Sequence, residues 1–251
     1  MKIAIDTDAA TLTVDGETHP LYSEPAFRAL SGVWTTTGWG LKYTYGFTWL
    51  GRPVIQMPED LVRLQELLWA VTPTVVIETG IAHGGSLVFH ASVLQALGGG
   101  RVIGVDVEIR PHNRVAIEAH PMFEHITMIE GSSTDEAVLA QVRSHLGPDD
   151  RVLVVLDSNH TRDHVRAELE HYAPLVSPGS WIVALDGVMQ DLADVPGGRE
   201  DWTWNNPATA VQAFVAEHPE FELVRPARPF DESRVPFDVT YGPSGFLRRR
   251  G

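Results

Sequence analysis

A doubly wound α/β fold, with a mostly parallel sheet and an N-terminal extension, is what this sequence predicts. Two observations carry it. From Asp60 onward, β-branched apolar runs alternate with stretches of helical periodicity, and glycines and acids cluster immediately after the runs. Strands separated by helices imply right-handed crossovers and therefore parallel pairing.

Taken in order, Lys2 to Ile5 and Ala10 to Val14 alternate apolar and polar side chains around acidic turns, which predicts a small hairpin. Phe27 to Gly51 is rich in Trp, Tyr, Thr and Gly without a sustained period. That composition predicts an irregular segment, either a cap over a pocket or an arm packed on the core or on another subunit. The division expected is therefore residues 1–46 as hairpin and cap, and residues 47–251 as the main domain.

In the main domain, Leu61, Leu64, Leu68 and Val71 fall at helical spacing, and Thr74 to Ile77 is a strand closed by Glu78-Thr79-Gly80. A helix is expected over Ser86 to Leu97, strands over Arg101 to Asp106 and Ile126 to Ile129, and a helix over Thr134 to Leu146. The alternation continues with strand Arg151 to Leu156, helix Thr161 to Val176, strand Trp181 to Leu185 and helix Ala208 to His218. Glu222 to Val224 and Gly245 to Arg248 are expected as antiparallel edge strands.

Composition narrows the function. A net charge of -14 argues against nucleic acid and anionic membrane as partners, because phosphate attraction needs a basic surface. The run Arg248 to Arg250 reads as a solvated tail. With no cysteine, there is no disulfide, thiolate nucleophile or Cys-ligated zinc. Met1 to Asp8 lacks the pattern of a signal peptide, and no apolar run reaches the length of a membrane span, so a cytoplasmic protein is expected. Its expected partners are a small-molecule substrate and further copies of itself.

In a doubly wound sheet, ligands lie at the carboxyl ends of the strands. The first such end is Glu78-Thr79-Gly80-Ile81-Ala82-His83-Gly84-Gly85-Ser86. Gly80 permits a turn that a Cβ would hinder, and Gly84 and Gly85 are expected to let a ligand approach the next helix. The spacing is not the dinucleotide fingerprint, and no lysine follows as in a phosphate loop. Glu78 would repel a pyrophosphate but suits a sulfonium or amino group. The second strand ends in Asp106, where a carboxylate can accept both ribose hydroxyls. Together these residues predict an adenosine cofactor.

Two later strands end in Asp157-Ser158-Asn159-His160 and in Asp186-Gly187, which brings two carboxylates to one rim. Hard oxygen donors of this kind suit magnesium. His160 is placed to act as a general base, its imidazole titrating near neutrality. The competing readings are a helix cap for Asp157, a turn residue for Asp186 and a satisfied loop histidine for His160.

Thr48-Trp49-Leu50-Gly51, Pro58-Glu59-Asp60, Gln65-Glu66, Glu78-Thr79-Gly80 with Gly84-Gly85-Ser86, Leu156-Asp157-Ser158-Asn159-His160, and Tyr172 through Val176 with Gly179 resemble the cephalosporin hydroxylase family. The resemblance spans about residues 47–250. It implies a Rossmann-like S-adenosylmethionine-dependent methyltransferase, related to magnesium-dependent O-methyltransferases of rhamnose and macrolide sugars. By resemblance, Glu78, Gly80, Gly84, Gly85, Ser86 and Asp106 match cofactor motifs, Asp157 and Asp186 match metal ligands, and His160 matches a catalytic base beside Asp157. The function implied is O-methylation of a small molecule, a sugar or a natural-product intermediate, with magnesium assisting. Many relatives carry two adjacent acids where this chain has Leu185-Asp186, which removes one candidate ligand. The segment Ala193 to Asn206, with Trp202 and Trp204, maps to no substrate pocket by resemblance. Two rival readings stand: a mononuclear iron hydroxylase using His160, His164 and Asp157, and a non-catalytic subunit that binds cofactor.

Overall fold

A computed structural model describes residues 1–251. Three antiparallel strands form first: β1 (Ile3–Asp6), β2 (Thr11–Val14) and β3 (Glu17–Pro20). The third, polar strand was not expected. It follows from Asp15-Gly16, both at positive φ (48° and 94°), the two-residue turn whose twist matches a hairpin.

Helix α1 (Glu24–Gly40) corrects the expectation of irregular chain over Phe27 to Gly51. Ser23 precedes it and Pro25 lies in its first turn, both ordinary helix-start residues. Its period is hidden because only Ala26, Ser31 and Gly38 are buried, while the Thr35 and Thr36 hydroxyls bond back to the Gly32 carbonyl. A short hairpin of β4 (Thr48–Trp49) and β5 (Arg52–Pro53) follows. Next comes α2 (Pro58–Val71), begun by Pro58 and two first-turn acids that complement its dipole.

The remaining elements are β6 (Val75–Thr79), α3 (Gly85–Ala96), β7 (Arg101–Asp106), α4 (Pro111–Glu118), β8 (Ile126–Glu130) and α5 (Glu136–Ser144). They continue as β9 (Val152–Leu156), α6 (Arg162–Tyr172), β10 (Trp181–Ala184), α7 (Pro207–Glu217), β11 (Phe221–Leu223) and β12 (Phe246–Arg249). Only α4 among these lacks a sequence expectation.

The main sheet runs β11-β12-β10-β9-β6-β7-β8, with β6 through β10 mutually parallel and the last two strands antiparallel, as expected. Every residue of β6 and β9 is buried, so these central strands read as unbroken apolar runs. Alternate side chains feed two cores. Ile77, Val154, Leu169 and Phe214 pack on one face, and Leu68, Val76, Phe89 and Val155 on the other. Strand order reverses between β6 and β9, where their carboxyl ends diverge into a crevice. No helix is long and apolar enough to cross a membrane.

Candidate active site

The turn after β6 is fixed by contacts within the chain. Asp106, at the end of β7, accepts through Oδ2 from the Ile81 and Ala82 amides (2.7 and 3.1 Å) and through Oδ1 from the Glu108 amide (3.1 Å). Asn113 on α4 donates to the Ala82 carbonyl, and Arg52 on β5 to the His83 carbonyl. Gly80 sits at φ +92°, and a Cβ there would strike the Asp157 carbonyl.

At Gly84 and Gly85 the reason for glycine differs from the expectation. Their Cβ positions are occupied by the Ile117 side chain and by the backbone of Pro53 and Val54, so both serve close packing of the chain on itself. Glu78 also departs from the expected cleft wall. It is wholly buried beneath the turn, 3.7 Å from the equally buried His90, and neither carboxyl oxygen has a hydrogen-bond partner. Burial pushes its carboxyl up to about 8, and burial lowers His90 to about 3. Ser86 itself lines a small cavity shared with Gln56, Gly80 and Asp157.

An open cleft of about 570 Å³ lies over the strand ends, lined by Gly80, Asp106, Ser132, Ser133, Asp157 and His160 among others. At its far end Asp157, His160 and Asp186 converge, one donor atom from each lying within 4.8 Å of the other two. His160 Nε2 is 3.2 Å from Asp186 Oδ2. Burial raises the Asp157 carboxyl well above the ordinary range, and the nearby Asp186 and Glu78 charges raise it further. Asp186 is likewise raised by burial, with His160 opposing. Two partly buried carboxyls held close together are a set that a divalent cation stabilises, and their hard oxygens suit magnesium.

Asp186 occupies the left-handed region at φ 58°, a conformation that Asp tolerates and that ends β10 abruptly. Leu185, by contrast, is buried in the second core. That side chain belongs to the packing under the sheet, and the three-residue cluster forms without an acid at this position. His164 does not join it. Its Nε2 lies 3.2 Å from the Ser133 and Ser158 hydroxyls and 3.4 Å from buried Glu168, whose Oε1 accepts from both serines. The ligand set expected for an iron hydroxylase, with His160, His164 and Asp157 together, is therefore not assembled.

On the other side of Asp186 lies a second pocket of about 220 Å³, lined by Trp39, Lys42, Thr44, Tyr45, Pro196 and Tyr241 among others. Trp39 packs edge-on against Tyr241 (5.3 Å) and Trp202 (6.4 Å). The segment around Trp202 thus walls this pocket, while Trp204 is exposed. Tyr241 is anchored by Asp60, which accepts from the Thr240 hydroxyl (2.5 Å) and the Tyr241 amide (2.9 Å) and is pushed by burial to about 7. Sequence reasoning missed Tyr241, Gln56 and the Ser132-Ser133 turn. The last stands at a strand end, and that position was the available signal.

The fold and this arrangement can be set beside known proteins. The model of the family described as Rhamnosyl O-methyltransferase/CmcI matches residues 41–250. The chain belongs to this family. Rhamnosyl O-methyltransferase of Mycobacterium tuberculosis is 29% identical over 220 residues, covering 86% of this chain and 80% of that protein. The Mycobacterium leprae protein of the same name is 27% identical over 223 residues, covering 87% and 85%. A solved structure of CmcI with Mg and SAM superposes with a TM-score of 0.55 at 16% identity, covering 82% of this chain and 78% of that one, which establishes a shared fold. In the Rhamnosyl O-methyltransferase/CmcI family member described here, the match starts within the cap segment and leaves β1 to β3 outside it.

Proposed function

We propose that this chain transfers a methyl group from S-adenosylmethionine to a hydroxyl of a small molecule, a sugar or natural-product intermediate, with a divalent cation assisting. The observation that carries the reading is the placement of Asp157, His160 and Asp186 between two cavities, the strand-end cleft and the aromatic pocket. Family membership and the mycobacterial rhamnosyl methyltransferases support it. In this reading Gly80, Ser86 and Asp106 face the cofactor. Asp157 and Asp186 hold Mg²⁺, which when bound would lower the acceptor hydroxyl's pKa and fix its direction.

The side chains of the site then have separable tasks. Asp186, its Oδ2 3.2 Å from His160 Nε2, holds the imidazole in place, as a carboxylate partner does for a general base. His160 takes the hydroxyl proton as the acceptor oxygen bonds to the methyl carbon, and the electron pair of the broken carbon–sulfur bond remains on sulfur. Asp157 and the Gly80 turn, in contact through the Asp157 carbonyl, set the distance between the acceptor site and the cofactor. Alignment alone accounts for several kcal/mol of barrier lowering. That the chain works in the cytoplasm as a homo-oligomer is part of the proposal.

Calorimetric titration with S-adenosylmethionine, S-adenosylhomocysteine and NAD, with and without Mg²⁺, tests this reading. Binding of the two sulfur cofactors and not NAD is expected, with methyl transfer to sugar hydroxyls depressed by chelation. Absence of cofactor binding would end the reading. Tight binding without transfer to any acceptor in a broad panel would leave the non-catalytic subunit in its place.

A further inference from the structure

We propose that the pocket beside Asp186 takes a single saccharide ring bearing an anionic group, and that Lys42 is the residue that selects the charge. The proposal rests on the methyltransferase reading and specifies the class of acceptor.

Size comes first. At about 220 Å³ the pocket is below the usual range for drug-sized ligands, so it suits one ring with its substituents. Three aromatic side chains, Trp39, Tyr45 and Tyr241, line it. Aromatic faces offer an apolar surface for the C–H face of a pyranose, while buried Thr44 and half-buried Asp186 supply polar atoms for its hydroxyls.

Charge comes second. Lys42 is the only lysine or arginine lining any of the three cavities that meet at the acidic cluster. The chain has a net charge of -14, so an anionic acceptor approaching the pocket gains from a cation at its lining. Lys42 makes no ion pair with any carboxylate, and its ammonium stands 5.4 Å from the Tyr45 ring centroid. Its charge is therefore available to a ligand.

Backbone conformation points the same way. Lys42 lies at φ 55°, in the left-handed region, directly after α1, with its amide bonded to the Trp39 carbonyl. Glycine or asparagine adopts that conformation at lower cost, so what lysine contributes here is its side chain. The same turn that ends α1 carries Lys42 to the mouth of the pocket whose wall Trp39 forms.

A carboxylate (a uronate) and a phosphate (a sugar phosphate) share this chemistry, and the experiment distinguishes them. Methyl α-D-glucopyranoside, D-glucuronate and D-glucose 1-phosphate are titrated by calorimetry into the wild type, Lys42→Met and Lys42→Arg. Each titration is run with Mg²⁺, and both with and without S-adenosylhomocysteine. At least one anionic probe should bind wild type about tenfold more tightly than the neutral glycoside, the scale of a hydrogen bond to a charged group. The tighter of the two names the source of the anion. Lys42→Met should abolish the preference, Lys42→Arg should restore it, and the cofactor affinity of both variants should match wild type. Equal binding of neutral and charged probes, a preference that survives Lys42→Met, or no binding of any ring would each overturn the proposal. Failure of S-adenosylhomocysteine to bind the wild type would instead count against the methyltransferase reading, and the ring titrations without it would still decide the role of Lys42.

Discussion

The two sides of the cluster, proposed for cofactor and for acceptor, are built in opposite ways. The turn after β6, with Asp106, comes from one continuous βαβ unit and is held by amides bonded to a single carboxylate. The acceptor pocket is assembled from the end of α1, from Pro196 and Gly197, and from Tyr241, segments far apart in sequence. In the proposed reading one side serves a constant ligand through a turn built within one unit, and the other is a set of walls drawn from distant segments. Asp157, His160 and Asp186 are the seam between them.

Substitutions can break that contrast at the seam or sharpen it on either side. The largest effect is expected for His160→Ala, because a general base contributes about 10²–10⁴-fold to turnover. Single-turnover rates should fall by that much while S-adenosylhomocysteine affinity is nearly constant. A stable variant with near-normal transfer would remove His160 from the chemistry. Next, Asp106→Ala should weaken cofactor binding by about 1–3 kcal/mol, roughly 5- to 150-fold, through loss of a charged acceptor. Because Asp106 also bonds the Ile81 and Ala82 amides, faster hydrogen exchange at those two positions should accompany the loss. An unchanged dissociation constant would place Asp106 in the fold alone.

On the acceptor side, Trp39→Ala should raise KM for the acceptor by roughly three- to tenfold, the scale of a lost aromatic contact, and leave cofactor affinity untouched. Equal losses for both ligands would show that the two sides are not separable. The smallest effect is a slope of stability with pH. Each side holds one buried carboxyl with a raised pKa, Glu78 at about 8 and Asp60 at about 7. The neutral form is favoured in the fold, so this stability is full below the unfolded pKa of about 4 and declines as pH rises through the folded value. Thermal unfolding of Asp60→Asn should lose the decline between about pH 4 and 7, and that of Glu78→Gln the decline between about pH 4 and 8. Melting curves whose pH dependence matches wild type would show that these groups are ionised in the folded protein.

The same contrast decides what could be read from the sequence. The central strands were legible because burial on both faces makes them apolar throughout, and Asp106, Asp157, His160 and Asp186 because they stand at strand ends. Helix α1 was not, since Gly32, Thr35 to Thr37, Gly38 and Gly40 give it neither propensity nor a period. Helix α4 buries only Asn113 and Ile117, so it too lacks a stripe. The glycines after Ala82 were noticed for the right place and the wrong neighbour: what approaches them is β5 and Ile117, which no local pattern foretells. Tyr241 lies in a long connection between β11 and β12, and tertiary contacts bring it to the site: its amide donates to Asp60 and its ring packs on Trp39.

The contact of Gly80 with the Asp157 carbonyl has a thermodynamic meaning. The turn proposed for the cofactor and the strand end proposed to present a metal carboxylate approach each other through backbone atoms, with no side chain between them to absorb a shift. Coupling between the two is the expected consequence, and linkage requires the effect to be mutual: whatever factor the cofactor applies to Mg²⁺ affinity, Mg²⁺ applies to the cofactor. Titrations of each in the presence and absence of the other should close to one coupling constant different from unity, and a value of one would mean that the two strand ends move independently after all.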